Sequence, residues 1–338
     1  MRFENVSIAA VAHIDAPHRI TSAAIADQLS PTLSRLGIRP ELLEKLSGIV
    51  ARRYWDRGVQ PSEVATEAAR LAIARSGVEP ADIGVIISTS VCKDFIEPSV
   101  ACMVHGNLGL SPNCLNFDVG NACLAFMNGM DVAGNMVERG QVRHALVVDG
   151  EGSRMVTEAT IARLLDPATD DQSFREQFAA LTLGSGAAAM VLSGTEHTDS
   201  GHRYLGGVSM AATQHSALCQ GQPDHMKTDT RNLLMAGLEL AAQTWQRGQA
   251  TLDWRAEDFD EFVLHQVSKV HTENLVAVLG LDLAKAHTIY GEFGNIGPAA
   301  VPITLSKAVE LGRIKKGSRV ALMGIGSGLN CAMTEIVW

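Results

Sequence analysis

One strand-like run leads into a glycine-containing turn, in the stretch Leu115-Asn116-Phe117-Asp118-Val119-Gly120-Asn121-Ala122-Cys123. A helix-like run from Leu124 to Glu138 follows, and then comes the apolar strand Ala145-Leu146-Val147-Val148. The same order returns in the second half of the chain. There, Gly294-Asn295-Ile296 precedes another helical run and the strand Val320-Ala321-Leu322-Met323.

A second pair of segments recurs at nearly the same offset. Pro80-Ala81-Asp82-Ile83 leads into Val85-Ile86-Ile87-Ser88, and Ala256-Glu257-Asp258-Phe259 leads into Phe262-Val263-Leu264-His265. Several matches at one offset indicate an internal duplication. We therefore predict two related halves, residues 1–195 and 196–338, fused around one core.

Strands and helices alternate within each half. The run Val85-Ile86-Ile87 is apolar without alternation, which is typical of a strand buried on both faces. Thr66 to Ser76 carries apolar residues at helical spacing. The pattern predicts an α/β fold with layered helices and sheets. Residues 151–180 are polar, helical in pattern and without a counterpart in the second half, so we expect an insertion that covers the core.

Composition and charge exclude several classes of protein. The 338 residues are 46% hydrophobic and 19% charged, which suits a large core and excludes intrinsic disorder. A net charge of −9 offers no basic excess for nucleic acid. No stretch is long and apolar enough for a membrane span, and no secretory signal is recognisable. The six cysteines are scattered without metal-ligand spacing, so we expect a soluble cytoplasmic protein with no metal site.

Cys123 is the first candidate for chemistry. It follows a strand-like run and a Gly-Asn-Ala turn, and it opens a predicted helix. Unpaired backbone N–H groups and the positive end of the dipole at a helix N-terminus favour the thiolate, the nucleophilic form of cysteine. The alternative is a small buried side chain, which is the common role of a free cysteine.

Two further polar residues stand at comparable places. His265 ends a buried strand, where side chains of α/β proteins point into ligand-binding crevices. Asn295 lies in Gly294-Asn295-Ile296-Gly297-Pro298, just before a helical run. A hydrogen-bonded core histidine and a turn asparagine are the alternatives for these two positions.

The glycine-rich segment Gly324-Ile325-Gly326-Ser327-Gly328 is not a dinucleotide fingerprint. Such a fingerprint needs a helix after the glycines, but the residues from Ala332 to Val337 form a strand pattern. Glycines at this position favour close approach of the backbone to a ligand and a backbone N–H aimed at an oxyanion.

The chain resembles a thiolase-superfamily condensing enzyme of the β-ketoacyl synthase III type. The features that carry this resemblance are Cys123, His265, Asn295, the duplicated halves and the closing Gly-Ile-Gly-Ser-Gly. Within that group the chain is most similar to the OleA-type acyl-CoA condensing enzymes of bacterial long-chain olefin biosynthesis. The resemblance covers essentially the whole chain and implies a five-layer αβαβα fold. The segments that carry it are Asn121-Ala122-Cys123-Leu124-Ala125-Phe126, His265-Gln266-Val267-Ser268, Gly294-Asn295-Ile296-Gly297-Pro298-Ala299 and Gly324-Ile325-Gly326-Ser327-Gly328-Leu329-Asn330-Cys331.

The resemblance also implies roles for these residues. Cys123 would attack a fatty acyl-CoA and hold its acyl chain, with the backbone N–H groups of Cys123 and Ser327 as the oxyanion hole. His265 and Asn295 would bind the thioester carbonyl of a second acyl-CoA and stabilise its enolate. The implied enzyme is a homodimer that needs no cofactor, since acyl-CoA is its substrate. Its implied product is a 2-alkyl-3-oxo acid, and downstream enzymes of olefin biosynthesis are implied partners.

Glu97 distinguishes two chemistries. Malonyl substrates generate a carbanion by losing CO₂, whereas two plain acyl-CoAs need a base that removes an α-proton. Ordinary synthase III enzymes place an aromatic residue in the matching Phe-Pro-Ser segment, but this chain reads Ile96-Glu97-Pro98-Ser99. By resemblance, Glu97 serves as the general base in the neighbouring subunit's site. Without the resemblance it would be a solvated loop glutamate.

Two departures from the ordinary synthase III pattern bear on the second substrate. Val267-Ser268 replaces Ala-Asn after Gln266, and Leu46 replaces a basic residue, so handling of an acyl carrier protein is not expected. Arg52 and Arg53 are candidates for binding the CoA phosphates, or they form a solvated face.

Two alternatives to the acyl-CoA condensing enzyme remain: a decarboxylating synthase III that uses malonyl-carrier protein, and a non-catalytic partner subunit with a thiolase fold.

Overall fold

The structure is a computed structural model that describes all 338 residues. Its strands are β1 (Val6–Asp15), β2 (His18–Thr21), β3 (Ala51–Tyr54), β4 (Ile83–Ser88), β5 (Leu115–Asp118), β6 (His144–Glu151), β7 (Gly186–Gly194), β8 (Arg203–Ala211), β9 (Cys219–Gln222), β10 (His225–Thr228), β11 (Glu261–Leu264), β12 (Arg319–Gly326) and β13 (Asn330–Val337). Its helices are α1 (Ser22–Gln28), α2 (Ser30–Leu36), α3 (Leu42–Ser47), α4 (Pro61–Ser76), α5 (Val100–Leu108), α6 (Ala125–Glu138), α7 (Arg154–Leu164), α8 (Asp171–Gln177), α9 (Thr230–Leu252), α10 (Lys269–Leu279), α11 (Tyr290–Phe293) and α12 (Ala300–Glu310). None of the helices combines the length and apolar character needed to cross a lipid bilayer.

The sheet repeats one strand order in the two parts of the chain. The first part runs β1-β7-β6-β4-β5, with β7 antiparallel to both β1 and β6, and with β6, β4 and β5 parallel. The second part runs β8-β13-β12-β11, again with two antiparallel pairs followed by a parallel pair. The two parts join along β1 and β8, which pair at Ser7 and Arg203. The division of the chain into two halves near residue 195 stays a prediction.

Three hydrophobic clusters define the layers. The largest cluster contains α6 and α12 together with strand residues of both parts, such as Val85 and Val263. A second cluster packs α4 and α5 on the outer face of the first part, and a third packs α9 and α10 on the outer face of the second. Because α6 and α12 lie between the two parts of the sheet, the order is helix, sheet, helix, sheet, helix. The predicted five-layer α/β architecture is confirmed.

Local sequence explains where the layering helices begin and end. Helix α4 starts with Pro61 after Gln60, and the side chain of Glu63 accepts the Gln60 N–H at 2.9 Å. This reciprocal capping satisfies N–H groups that have no partner inside the helix. Gly77 ends α4 in the left-handed conformation at φ 68°, which glycine adopts without a Cβ clash. The buried face of α4 is mostly alanine, so the helix lies close to the sheet.

The expected insertion is helical but begins later than the sequence pattern suggested. Helices α7 and α8 occupy most of residues 151–180, whereas the corresponding connection between β12 and β13 is a tight turn. Glu151, which the polar pattern assigned to the insertion, is the last residue of β6 and is only 5% exposed. Its carboxylate therefore lies inside the core region.

Candidate active site

Cys123 lies on a tight turn between β5 and α6. Ala122 has a φ of 46°, a left-handed conformation that costs energy for a residue with a side chain. The N–H groups of Leu124 and Ala125 donate to the carbonyls of Asn121 and Ala122 at 3.1 Å each, which closes the turn. The thiol therefore sits just ahead of the first residue of α6, and it retains some solvent-accessible surface.

The electrostatics of Cys123 differ from the sequence-based expectation. Burial, assisted by the charges of Cys219, Glu151 and Asp149, raises the pKa of its thiol to about 12. Desolvation disfavours the charged form and outweighs the helix N-terminus here. The resting nucleophile is thus a neutral thiol rather than the predicted thiolate.

The turn between β12 and β13 packs directly against the nucleophile turn. A Cβ added to Gly326 would lie 2.9 Å from the carbonyl oxygen of Asn121 and 3.0 Å from the nitrogen of Leu124. Only glycine permits this approach. Ser327 follows at once and is partly exposed, so its backbone is held beside the Cys123 turn. Gly326 thus permits close approach of β12 to the Cys123 turn, and the expected approach of this segment to a ligand stays a prediction.

His265 directly follows β11, and its backbone N–H donates to the carbonyl of Met323 on β12 at 2.7 Å. Since Gly326 of the same strand touches the Cys123 turn, β12 brings the histidine to the nucleophile's side of the sheet. His265 is 2% exposed, and its Nδ1 has no hydrogen-bond partner. Burial, assisted by His271, lowers its pKa to about 3. The imidazole is therefore neutral and can donate one N–H without carrying charge.

Asn295 is fixed through its backbone and its side-chain oxygen. Its N–H donates to Thr182 at 3.0 Å, and its carbonyl accepts from Gly184 at 2.8 Å. Its Oδ1 accepts the Gly297 N–H at 3.0 Å, which leaves the Nδ2 group as a free donor. A neutral imidazole N–H and an amide N–H are the donors expected for stabilising a developing enolate oxygen.

Gln266 connects the histidine to the asparagine loop, a function that the sequence reasoning missed. Its Nε2 donates to His287 at 2.8 Å, and its Oε1 accepts from Ile289 and Tyr290 at 2.7 and 3.0 Å. The segment 287–294 that leads to Asn295 is thereby held against the end of β11. The only sequence signal for this role of Gln266 is that it directly follows His265.

Glu97 lies on the exposed segment between β4 and α5. Its neighbours Phe95 and Ile96 are 55% and 100% exposed, which is unusual for large apolar side chains next to a site. The carboxylates that influence Cys123 of the same chain are Glu151 and Asp149. In a single chain the segment of Ser327 packs on the Cys123 turn through Gly326, and Glu97 is exposed. Glu151, whose charge acts on Cys123, also packs on Gly297 in the Asn295 loop.

The two candidate arginines differ sharply in exposure. Arg52 has no exposed surface, and its guanidinium donates to the carbonyl of Ile20 at 3.4 Å and to the hydroxyl of Ser22 at 3.1 Å. The prediction that Arg52 binds a CoA phosphate is therefore wrong, because its guanidinium is enclosed within the protein. Arg53 is partly exposed and lies 5.4 Å above the Phe293 ring, so only Arg53 remains a candidate.

Two buried carboxyls were also missed from the sequence. Asp149 is fully buried and accepts a hydrogen bond from the Thr89 hydroxyl at 2.6 Å. Glu151 lies two residues further along β6, and burial raises its pKa to about 7. The signal was available in the sequence as two acidic residues at the end of an apolar strand.

Comparisons with known proteins agree with this site. Residues 117–210 match the family described as 3-oxoacyl-[acyl-carrier-protein] synthase III, and residues 250–338 match its C-terminal family. An acyl-CoA:acyl-CoA alkyltransferase from Xanthomonas campestris is 54% identical over 100% of both chains. One from Shewanella oneidensis is 34% identical, also over 100% of both chains.

Solved structures give the same assignment. Cerulenin-bound OleA from Xanthomonas campestris has a TM-score of 0.98 and 54% identity, covering 100% of this chain and 98% of that one. A cysteine-to-serine variant of OleA with bound lauric acid and lauroyl-CoA has a TM-score of 0.98 and 53% identity, covering 99% of this chain and 100% of that one. The chain belongs to the OleA-type family of acyl-CoA:acyl-CoA alkyltransferases, acyltransferases of the thiolase superfamily.

Proposed function

We propose that this protein joins two long-chain acyl-CoAs head to head in a non-decarboxylative Claisen condensation. The observation that carries the proposal is the 54% identity, over the full length of both chains, to an acyl-CoA:acyl-CoA alkyltransferase. The packing of Gly326 on the Cys123 turn supports it, because Gly326 lies on β12, the strand whose Met323 carbonyl accepts the His265 N–H. Solved OleA variants replace a cysteine, a glutamate and a histidine. These are separated in that chain by the same numbers of residues as Cys123, Glu97 and His265 in this one.

In the first step the Cys123 sulfur bonds to the carbonyl carbon of one acyl-CoA. The thiol proton leaves with the CoA sulfur, and free CoA departs from the acyl-enzyme. The backbone N–H groups of Cys123 and Ser327 bind the oxyanion that forms during the attack. Preorganised donors of this kind contribute about 3–4 kcal/mol each to transition-state stabilisation in comparable enzymes.

In the second step a carboxylate removes the α-proton of the second acyl-CoA. We assign this role to Glu97 of the partner subunit, while His265 and Asn295 of the acylated chain donate to the enolate oxygen. The α-carbon attacks the acyl carbonyl, and the Cys123 sulfur leaves and recovers a proton from the glutamic acid. Hydrolysis of the remaining thioester gives a 2-alkyl-3-oxo acid and a second CoA. The sequence of steps uses no metal or cofactor.

A homodimer is part of this proposal. The segment that carries Glu97 exposes Val91, Phe95 and Ile96, and Ile96 is fully exposed in the single chain. Apolar exposure of this extent next to the proposed base is typical of a protein–protein interface.

We further propose a cytoplasmic enzyme whose product feeds downstream enzymes of olefin biosynthesis. All six of its cysteines are free thiols, as the reducing cytoplasm favours.

The decisive experiment supplies one long-chain acyl-CoA as the only substrate. We expect release of CoA and formation of the condensed 3-oxo acid, or of the ketone formed by its decarboxylation. Product formation only after addition of malonyl-carrier protein would instead identify a decarboxylating synthase. Absence of an acyl adduct on Cys123 by mass spectrometry would identify a non-catalytic subunit.

The role of Glu97 is tested separately from acylation. Glu97→Ala should still acylate Cys123 but form condensed product at least about 100-fold more slowly, a typical loss for general base catalysis. Glu257→Ala removes an exposed carboxylate far along the chain and serves as the matched control. Normal condensation by Glu97→Ala would show that the base is another group.

A further inference from the structure

A buried hydrogen bond fixes the start of the Glu97 segment. The Oε1 of Glu151 accepts the Val91 N–H at 2.6 Å, and its Oε2 accepts the Cys92 N–H at 3.4 Å. Val91 and Cys92 are the first residues of the segment that reaches Glu97. Hydrogen bonds from backbone N–H groups to a buried carboxylate are short and strong. Glu151 therefore determines where this segment leaves the core.

The remainder of the segment has its own anchors. Asp94 accepts hydrogen bonds from the N–H and hydroxyl of Ser62 at 3.0 and 2.5 Å. Asp118 accepts the N–H groups of Val100 and Ala101 at 3.2 and 2.9 Å, which caps α5. Glu97 lies between these two anchors, and Asp94 follows Val91 closely in the chain, so a displacement of Val91 that also shifts Asp94 would move Glu97.

Glu151 also faces the site of its own chain. A Cβ on Gly297 would lie 3.7 Å from the Glu151 carboxyl carbon, so the carboxyl packs on the loop that orients Asn295. Its charge contributes to the raised pKa of Cys123. Glu151 thus packs on the Gly297 loop of its own site. It also holds the segment that carries Glu97, the proposed base of the other site.

We propose that Glu151 is a positioning residue that places Glu97 for catalysis in the partner subunit's site. The inference rests on the proposed function, because it requires Glu97 to act across a homodimer. Glu151 makes no bond to substrate in this role; it acts through the backbone of Val91 and Cys92. Truncation of its side chain should therefore slow condensation in the neighbouring site while leaving acylation there intact.

A mixed dimer separates the two sites. The first chain carries Cys123→Ala with Glu97 intact, and the second carries Glu97→Ala with Cys123 intact, so only one site contains both groups. Different affinity tags on co-expressed chains allow its purification. Cys123 of the second chain is acylated first, excess substrate is removed, and one turnover of condensation is measured with fresh acyl-CoA. This order isolates the second step from effects on acylation.

Glu151→Ala is then placed in either chain. In the first chain, which supplies Glu97, we expect condensation to slow about 100-fold, the loss that a displacement of about 1 Å can cause. In the second chain, whose own site Glu151 touches through the Gly297 loop, we expect a loss at least about tenfold smaller than in the first chain. Glu151→Gln in the first chain keeps an acceptor for the Val91 N–H and should recover most of the rate.

The outcomes are distinct. An inactive parent mixed dimer would refute the cross-subunit role of Glu97, and the inference about Glu151 would fall with it. An active parent that tolerates Glu151→Ala in the first chain would overturn the positioning role alone. A loss confined to the second chain would also overturn it, because Glu151 would then act on its own Cys123. Acylation of the second chain's Cys123 in every dimer verifies that the protein is folded.

Discussion

Asn330 donates a hydrogen bond from its Nδ2 to the Oδ1 of Asn121 at 3.0 Å. Asn121 in turn donates from its Nδ2 to the Oδ1 of Asn128 at 2.7 Å. This chain of amides joins the β12–β13 hairpin, the nucleophile turn and helix α6. Because Ser327 lies near Asn330 and Cys123 lies near Asn121 in the chain, these hydrogen bonds hold the two backbone N–H groups of the proposed oxyanion hole in one frame.

Replacing Asn121 with alanine breaks both of these hydrogen bonds. We expect Cys123 acylation to slow about 10- to 100-fold, because the two N–H donors would no longer be held at the position of the oxyanion. The rate of CoA release in the first turnover measures this effect. Asn113→Ala, at an exposed turn, is the control and should retain the parent rate. Unchanged acylation in Asn121→Ala would show that the hairpin is held by other contacts.

Much of the fold follows from the sequence because duplication imposes regular spacing. The segments matched along the sequence fall on structurally equivalent elements: β4 with β11, β6 with β12, and the turn before α6 with the turn before α12. Periodicity alone placed α6 within one residue of its observed start. Such patterns are local, so they survive without knowledge of the tertiary structure.

The parts of the site that could not be predicted depend on burial. The raised pKa of Cys123 and the enclosure of Arg52 arise from residues distant in sequence, which no local pattern records. Glu151 resembled the first residue of a polar insertion, whereas the structure makes it the last residue of a buried strand. His265, in contrast, was identifiable because it ends an apolar strand.

Gly326 is predicted to be intolerant of any side chain. In Gly326→Ala the new Cβ would meet the Asn121 carbonyl oxygen at 2.9 Å, and both groups belong to constrained turns. Overpacking of this kind costs about 1–3 kcal/mol, so we expect a lower free energy of unfolding and slower acylation. Denaturant unfolding and first-turnover CoA release measure the two effects.

Gly106→Ala is the matched control for this prediction. Gly106 lies in α5, and a Cβ there would meet no atom within 4 Å. Alanine in a helix interior is favoured over glycine by about 0.5–1 kcal/mol, so this variant should be equally or more stable. Equal stability and activity of both alanine variants would contradict the tight packing at Gly326.

The thiol of Cys123 is predicted to react slowly with small alkylating agents. Since burial raises its pKa to about 12, the thiolate fraction should grow about tenfold per pH unit without levelling off between pH 7 and 9.5. Peptide-resolved mass spectrometry after timed alkylation measures this rate. In the urea-unfolded chain, where thiols have a pKa of about 8.5, the rate should level off. A plateau below pH 8 in the folded enzyme would show that the thiolate is stabilised after all.

His265 is predicted to make the folded state sensitive to acid. Its pKa is about 3 in the folded chain, against about 6.5 when unfolded, so the unfolded chain binds the additional proton between these values. The contribution of His265 to the free energy of unfolding is fully present above pH 6.5. It falls by up to about 1.4 kcal/mol per pH unit as the pH drops toward 3. His265→Gln cannot take up the proton, so its free energy of unfolding should decline less steeply than that of the parent between pH 7 and 5. Urea unfolding at several pH values compares the two slopes. Parallel slopes for His265→Gln and the parent would mean that the folded imidazole takes up its proton over the same pH range as the unfolded one, and the strongly lowered pKa of His265 would have to be abandoned.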